Sequence, residues 1–217
     1  EPNRLTGATG FLGAFLLREL MDSTAADIYC LVRGNGNDHL TRLRDHLERH
    51  QLSTAGLAER VRVVTGDISQ PLLGLPADQW DALTGALDAV YHAAAEVNWV
   101  MPYAMLRQAN VLGTRELLRF ACATTPKTFH FVSSLSVCYA TGIAADRVSS
   151  CEATNMLPRV GSLPLGYART KCVAESLVRQ TLYGNRWFRR ELGVASEETM
   201  LPDCFGFPAA LPSVLAH

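Results

Sequence analysis

A glycine triplet near the amino terminus constrains this chain more than any other feature. The segment TGATGFLG sets Gly7, Gly10 and Gly13 three residues apart, between a short strand ending at Leu5-Thr6 and a helix from about Gly13 to Met21. Each glycine has a separate task. Gly7 permits a tight turn, Gly10 lets the backbone approach a pyrophosphate, and Gly13 allows close helix–sheet packing. Thr9, Phe11 and Leu12 share this turn and complete the expected cradle. A helix N-terminus there offers free N–H groups and a dipole that favours an anion. An ordinary strand–turn–helix with three turn glycines is the competing reading, and only the surrounding pattern decides between them.

That pattern is a short apolar run followed by a longer helical stretch, repeated along the chain, as in βαβ units around a parallel sheet. Ile28–Val32, Val61–Val64, Ala89–His92 and Phe129–Val132 read as further strands. Helices are expected at Asp38–His50, Leu106–Ala123 and Tyr167–Leu182, and Leu12, Phe15, Leu16 and Leu20 are expected on one face of the first helix. From Leu182 to Ala195 the chain is polar and arginine-rich, and 196–217 is a proline-punctuated tail. The expected architecture is an α/β, Rossmann-type doubly wound parallel sheet over 1–182, with 183–217 a fragment of an incomplete substrate-binding portion. A join between distant pieces is expected between Leu182 and Ala195, with truncation as the alternative.

Composition excludes several classes. The net charge is -1, so no basic field draws nucleic acid, and no stretch approaches the roughly 20 apolar residues of a membrane span. The start, EPNRLTG, is not a signal peptide. Six scattered cysteines without a CxxC pair suit reduced thiols and a cytoplasmic location.

The end of the second strand selects the cofactor. NAD-binding versions of this turn carry an acidic residue there, which accepts hydrogen bonds from the adenosine ribose. This chain has Arg33, whose planar fork suits a 2′-phosphate instead, so NADPH is the expected cofactor. Arg42, in the next helix, is a candidate second cation, with a solvated helix face as the alternative. Asp67, with Ile68 after it, is placed for the adenine, and Ala93 and Ala94 are small residues where backbone passes the adenosine ribose.

The chemistry is expected from Tyr167-Ala-Arg-Thr-Lys171, a phenol and an ammonium one helical turn apart. A carbonyl receiving hydride develops charge on oxygen, so a proton donor must stand beside it. A neighbouring lysine is expected to lower the tyrosine pKa and to bind the nicotinamide ribose. Only Lys127 and Lys171 occur in the whole chain, so a lysine at this spacing is hard to ascribe to chance. Ser134, leaving the fifth strand, is the candidate for holding the carbonyl, and Ser133 and Ser136 compete for that role. Asn110 is a candidate support for a water relay to Lys171, against a plain helix-surface asparagine. No GxSxG elbow occurs, the histidines lack metal-ligand spacing, and the cysteines read as small core residues.

Taken together, TGATGFLG, CLVRG, TGDI, YHAAAEVNWVMPY, ANVLGT, FHFVSSLSV and GYARTK resemble the extended short-chain dehydrogenase/reductases over about residues 4–182. Within them the chain is most similar to the terminal thioester reductase domains of nonribosomal peptide and polyketide synthetases, which are related to the reductase domains of carboxylic acid reductases. The resemblance implies Ser134, Tyr167 and Lys171 as the catalytic triad and Arg33 and Arg42 as 2′-phosphate ligands. It also implies a phosphopantetheine-bearing carrier protein as partner and reductive release of an acyl or peptidyl thioester as aldehyde or alcohol. A stand-alone extended reductase or epimerase acting on a small carbonyl or sugar nucleotide is the second reading. A non-catalytic NADP-sensing protein is the third, and it has no use for a proton donor at Tyr167.

Arg33→Asp is expected to weaken NADPH binding and leave NADH unchanged or improved, since one charge-assisted phosphate contact contributes on the order of 1.5–3 kcal/mol. Equal dissociation constants for the two cofactors in the unaltered protein would contradict this reading.

Overall fold

The computed structural model describes residues 3–34, 38–124, 127–138 and 156–192. They fall into two compact units, one from Glu1–Ala95 with Glu116–Val132, the other from Glu96–Arg115 with Ser133–His217.

The first unit is the sheet and its layers. Its strands are β1 (Asn3–Thr6), β2 (Ile28–Val32), β3 (Val61–Thr65), β4 (Ala89–His92) and β5 (Thr128–Phe131). All are parallel in the order β3-β2-β1-β4-β5, with Thr6 opposite Leu31 on one side and His92 on the other. The strand order reverses between β1 and β4, which makes the crevice beyond their carboxyl ends the switch point where such sheets bind ligands. Helices α1 (Phe11–Ser23), α2 (His39–Arg49), α3 (Leu57–Arg60) and α4 (Ala77–Ala86) connect the strands. Alternation along β2 supplies both faces. Ile28, Cys30 and Val32 pack with Leu17, Leu43 and Leu47, while Leu31 packs with Trp80, Leu83, Val90 and Phe120.

In the second unit, α5 (Tyr103–Arg107) runs through a π-helical turn, Gln108–Leu112, into α6 (Gly113–Cys122), whose later residues belong to the first unit. Helix α7 (Gly166–Leu192) closes it, with Ala168 and Cys172 packed against Val137, Met156 and Leu163.

The expected bounds of β2 and β4 are those observed, and the doubly wound parallel sheet is the architecture found. Three readings need correction. Helix α1 buries Gly13, Ala14, Leu17, Leu20 and Met21, while Phe15 and Leu12 are exposed. The reason is that Gly13 must face the turn it closes on, which rotates the apolar stripe away from the Leu12–Phe15 side. The helix expected to stop at Leu182 continues to Leu192, because residues 185–192 hold good helix formers and no proline. Residues 193–195 lie outside the described chain, as does the tail. Helix α4 was not expected. Its signals are Pro76 at the N-cap, Asp78 in the first turn, and burial of Trp80, Leu83 and Thr84.

A methyl group at Gly13 would overlap the carbonyl oxygen of Gly7, a backbone atom that cannot swing aside. Gly13→Ala is therefore expected to destabilise the protein by about 1–3 kcal/mol or more, read as a lower midpoint in urea. Unchanged stability would show that the turn is loose.

Candidate functional site

The glycine-rich turn is built from backbone. Gly7 adopts φ +81, and a Cβ there would fall 2.7 Å from the Ala94 nitrogen and 2.8 Å from the Ala93 carbonyl carbon. The Gly10 N–H donates to the Gly7 carbonyl at 2.8 Å, and the Ala14 N–H to the Gly10 carbonyl at 3.0 Å. A Cβ on Gly10 would meet only the Gly7 oxygen, at 3.3 Å, so its outer side is open. Thr9, Gly10, Phe11 and Leu12 are exposed, and the first turn of α1 carries no acidic side chain. Free first-turn amides beside an open glycine suit a dinucleotide diphosphate. The Thr6 hydroxyl pairs with His92 Nδ1 at 2.8 Å and accepts from the Ala94 N–H at 3.3 Å, which fixes the segment after β4 against the turn.

Arg33 is exposed at the end of β2, and Arg42 is brought to it. The Arg42 guanidinium donates to the Arg33 carbonyl at 3.1 Å and lies 3.4 Å from His39 Nδ1. An open cavity of about 220 Å³ lies alongside, lined by Thr9, Arg42, Asp45, His46 and Arg49. His46, which carries no expectation from the sequence, touches the Gly10 carbonyl with Nε2 at 3.1 Å. Asp67 accepts from the N–H and hydroxyl of Ser69, both at 2.8 Å, so one of its oxygens holds the loop after β3. Ile68 packs, partly buried, on the core beneath.

In the second unit the three serines have different partners. Ser133 donates to Glu175 Oε2 at 2.6 Å, whereas Ser134 pairs with the Ser136 hydroxyl at 2.9 Å and is near enough to the Tyr167 phenol to favour its ionised form. Lys171 follows Tyr167 by one turn of α7 and is 4% exposed. Burial pushes its ammonium down to about 8, opposed by the Glu175 carboxylate. Tyr167 departs from expectation. Burial raises its phenol above the ordinary value, the Ser134 hydrogen bond works against that, and Lys171 is not among the causes. Loss of hydration at Tyr167 outweighs the effect of Ser134.

Asn110 sits inside the π-helical turn, a distortion that recurs at functional sites. Its Oδ1 accepts from the Glu96 N–H at 2.7 Å, and its Nδ2 donates to the Glu96 carbonyl and to Thr170 Oγ1, both at 3.0 Å. The Thr170 hydroxyl donates in turn to the Tyr167 carbonyl at 2.7 Å. Both amide hydrogens are thus committed to holding main chain and α7 rather than water. Glu175 and Thr170 are the members that sequence reasoning missed; the i+4 spacing from Lys171 to Glu175 was the available signal. Burial raises the thiols of Cys30 to about 12 and of Cys122 and Cys172 to about 11, which keeps them protonated and unreactive. Among the described residues no cluster of histidine, cysteine and carboxylate fits a metal, and no helix is long and apolar enough to cross a membrane.

A parallel sheet with a glycine-rich turn at its switch point defines a dinucleotide-binding oxidoreductase class. The chain belongs to the NAD-binding family described as "Male sterility protein", whose model matches residues 5–187. It is 47% identical over 175 residues to a linear gramicidin synthase of Brevibacillus parabrevis, covering 80% of this chain and 3% of that protein. Among solved structures it is similar to the terminal R domain from the myxalamid PKS-NRPS biosynthetic pathway, with TM-score 0.75, 47% identity, and coverage of 83% of this chain and 45% of that one. It is also similar to a thiolation-reductase di-domain from an archaeal non-ribosomal peptide synthetase, with TM-score 0.67, 27% identity, and coverage of 83% and 38%. The chain therefore spans less than half of each of these relatives. A second model, the glycosyl hydrolases family 38 N-terminal domain, matches residues 169–217, most of which lie outside the described chain.

Because burial disfavours the charged ammonium, Lys171 is expected to lose its proton through about 8, and reduction that needs this charge should decline above that pH. An NMR titration of the Lys171 side chain checks this directly. Glu175→Gln should lower the midpoint further, since the removed carboxylate favours the charged form. A midpoint near that of an exposed lysine, about 10.4, would contradict the burial argument.

Proposed function

We propose that this chain is the NADPH-binding part of a reductase that releases an acyl or peptidyl thioester from the phosphopantetheine arm of a carrier protein. The observation that carries the chemistry is the placement of Tyr167 and Lys171 one turn apart on α7, both withdrawn from water, with the Ser134 hydroxyl near enough to favour the ionised phenol. Bound NADPH supplies hydride to the thioester carbon. Ser134 and Tyr167 hold the developing oxyanion, with Tyr167 as the proton source, since its raised pKa keeps the phenol protonated at neutral pH. Lys171 supplies positive charge and binds the nicotinamide ribose. When the hemithioacetal collapses, the thiol departs with a proton and an aldehyde is released; hydride from a second NADPH, with a proton from Tyr167, would carry the aldehyde on to an alcohol. The preference for NADPH over NADH rests on Arg33, on Arg42 held beside it, and on the open cavity bordered by Arg42, His46 and Arg49. Asp67, Ile68, Ala93 and Ala94 are proposed to contact the adenosine, and Asn110 to position α7 beneath Tyr167.

The carrier-protein assignment is supported by relatives that are peptide synthetases and R domains, and by a relative whose solved structure joins thiolation and reductase domains. Residues 183–217 are read as part of a substrate-binding portion, a reading that competes with the glycosyl hydrolase match there. The second functional reading, an epimerase or reductase of sugar nucleotides, calls for a second diphosphate site. The sequence offers no second glycine-rich or arginine-paired turn for one.

Tyr167→Phe is expected to leave the fold and NADPH binding intact while lowering turnover by about 10²–10⁴-fold, the usual loss on removing a general acid. The assay follows NADPH oxidation by the intact protein with carrier-bound acyl thioesters, acyl-CoA and UDP-sugars. Activity is expected in that order, with none for UDP-sugars. Turnover of UDP-sugars alone would overturn the proposal, and near-normal rates in Tyr167→Phe would place the proton donor elsewhere.

A further inference from the structure

Both hydroxyl groups of the site are bordered by large apolar side chains that stand in solvent. Leu135 follows Ser134 in the chain and is 77% exposed. Trp99 is 64% exposed, and its ring centroid lies 6.5 Å from that of Tyr167. Val97, Val100 and Met105 extend the same exposed hydrocarbon along one short segment. Exposed apolar side chains next to the two hydroxyl groups are placed to meet the hydrocarbon of a ligand whose polar end those groups hold.

The segment is also held firmly. Asn98 Oδ1 accepts from the N–H groups of Val100 and Met101, both at 2.8 Å, which turns the chain and presents Trp99 outward. Gly166, the residue before Tyr167, lies so close to the backbone of Met101, Pro102 and Tyr103 that no Cβ would fit. That contact registers the segment on the first turn of α7. The main chain that carries Trp99 is thus held beside the residue preceding Tyr167.

We infer that Trp99 and Leu135, together with Val97, Val100 and Met105, form the binding surface for the hydrocarbon part of the acyl chain. The surface selects long aliphatic or aromatic acyl groups over short or charged ones. A carbonyl within hydrogen-bond reach of Ser134 and Tyr167 must begin its acyl chain beside their immediate neighbours, and the exposed neighbours on both sides are apolar. Burying that chain against Trp99 removes hydrocarbon of both partners from water. The inference rests on the thioester reading above and names the substrate class for that site.

The test compares S-dodecanoyl-pantetheine with S-acetyl-pantetheine on the intact protein, by calorimetry and by steady-state kinetics. The dodecanoyl compound is expected to bind on the order of 10-fold more tightly or better. Trp99→Ala should lower kcat/KM for the dodecanoyl substrate on the order of 10-fold through KM, leaving the acetyl substrate and the NADPH dissociation constant unchanged. Leu135→Ser should act in the same direction, and both positions are exposed enough to tolerate change without unfolding. Equal binding of the two compounds, or a Trp99→Ala effect shared by both, overturns the inference. So does a change in oligomeric state on Trp99→Ala with chain-length preference intact, which would make the patch a protein interface. If neither compound supports NADPH oxidation, the thioester reading fails, and calorimetry still reports separately on the apolar surface.

Discussion

Where β1 ends, three stretches of main chain meet with no side chain between them. Gly7 turns in the left-handed region, the first turn of α1 comes down on its carbonyl through Gly13, and the backbone of Ala93 and Ala94 passes close enough to exclude a Cβ at Gly7. Everything else in the first unit accommodates that contact. It sets the angle of α1 to the sheet, and so directs Leu17, Leu20 and Met21 rather than Phe15 into the core. It leaves the amides that open α1 beside an open glycine, where an anion is favoured. The Thr6 hydroxyl, shared between His92 and Ala94, holds the arrangement from inside the sheet.

The second unit depends on polar groups placed where water does not reach. Asn110, Thr170 and Lys171 are all nearly inaccessible. A buried amide must satisfy its donors and acceptor locally or carry a large penalty, which makes a fully bonded asparagine a strong positional constraint. Asn110 meets that condition by gripping both backbone groups of Glu96 and the hydroxyl of Thr170, which in turn bonds the carbonyl of Tyr167. The same dryness acts on the ionisable groups. It presses the Lys171 ammonium toward neutrality and the Tyr167 phenol away from ionisation, leaving a protonated donor beside Ser134. Glu175 serves two neighbours, accepting from the Ser133 hydroxyl and supporting the charge on Lys171.

Much of the sheet was legible because a doubly wound fold writes its strands as short apolar runs, and β2 and β4 were bounded correctly from that signal alone. The dinucleotide turn was legible for a different reason, since only glycine fits where positions 7 and 13 meet other main chain, and a glycine at 10 leaves the turn open to an anion. Less was readable where the outcome depends on a rotation or a distance. Leu12 and Phe15 have the right residue type for a core and the wrong azimuth. Asn110 read as a helix-surface group or a relay, and its three side-chain bonds depend on Glu96 and Thr170, fourteen and sixty residues away. His46 carries no motif, and Trp99 lies in a motif that says nothing of its role, so their positions beside Gly10 and Tyr167 single them out.

The sequence by itself determined the class of this protein: a parallel α/β sheet, a glycine-rich anion turn, an arginine where an acidic ribose ligand would stand, and a tyrosine one turn before a lysine. These are local properties, set by backbone sterics, by side-chain chemistry and by the pitch of a helix, and neighbouring residues suffice to state them. Only the tertiary structure decided which serine meets the phenol, which face of α1 is buried, what Asn110 holds, and in which direction Tyr167 and Lys171 are shifted. Those outcomes follow from hydration lost and partners gained on packing. Both depend on residues far apart in the chain, and no local pattern records them.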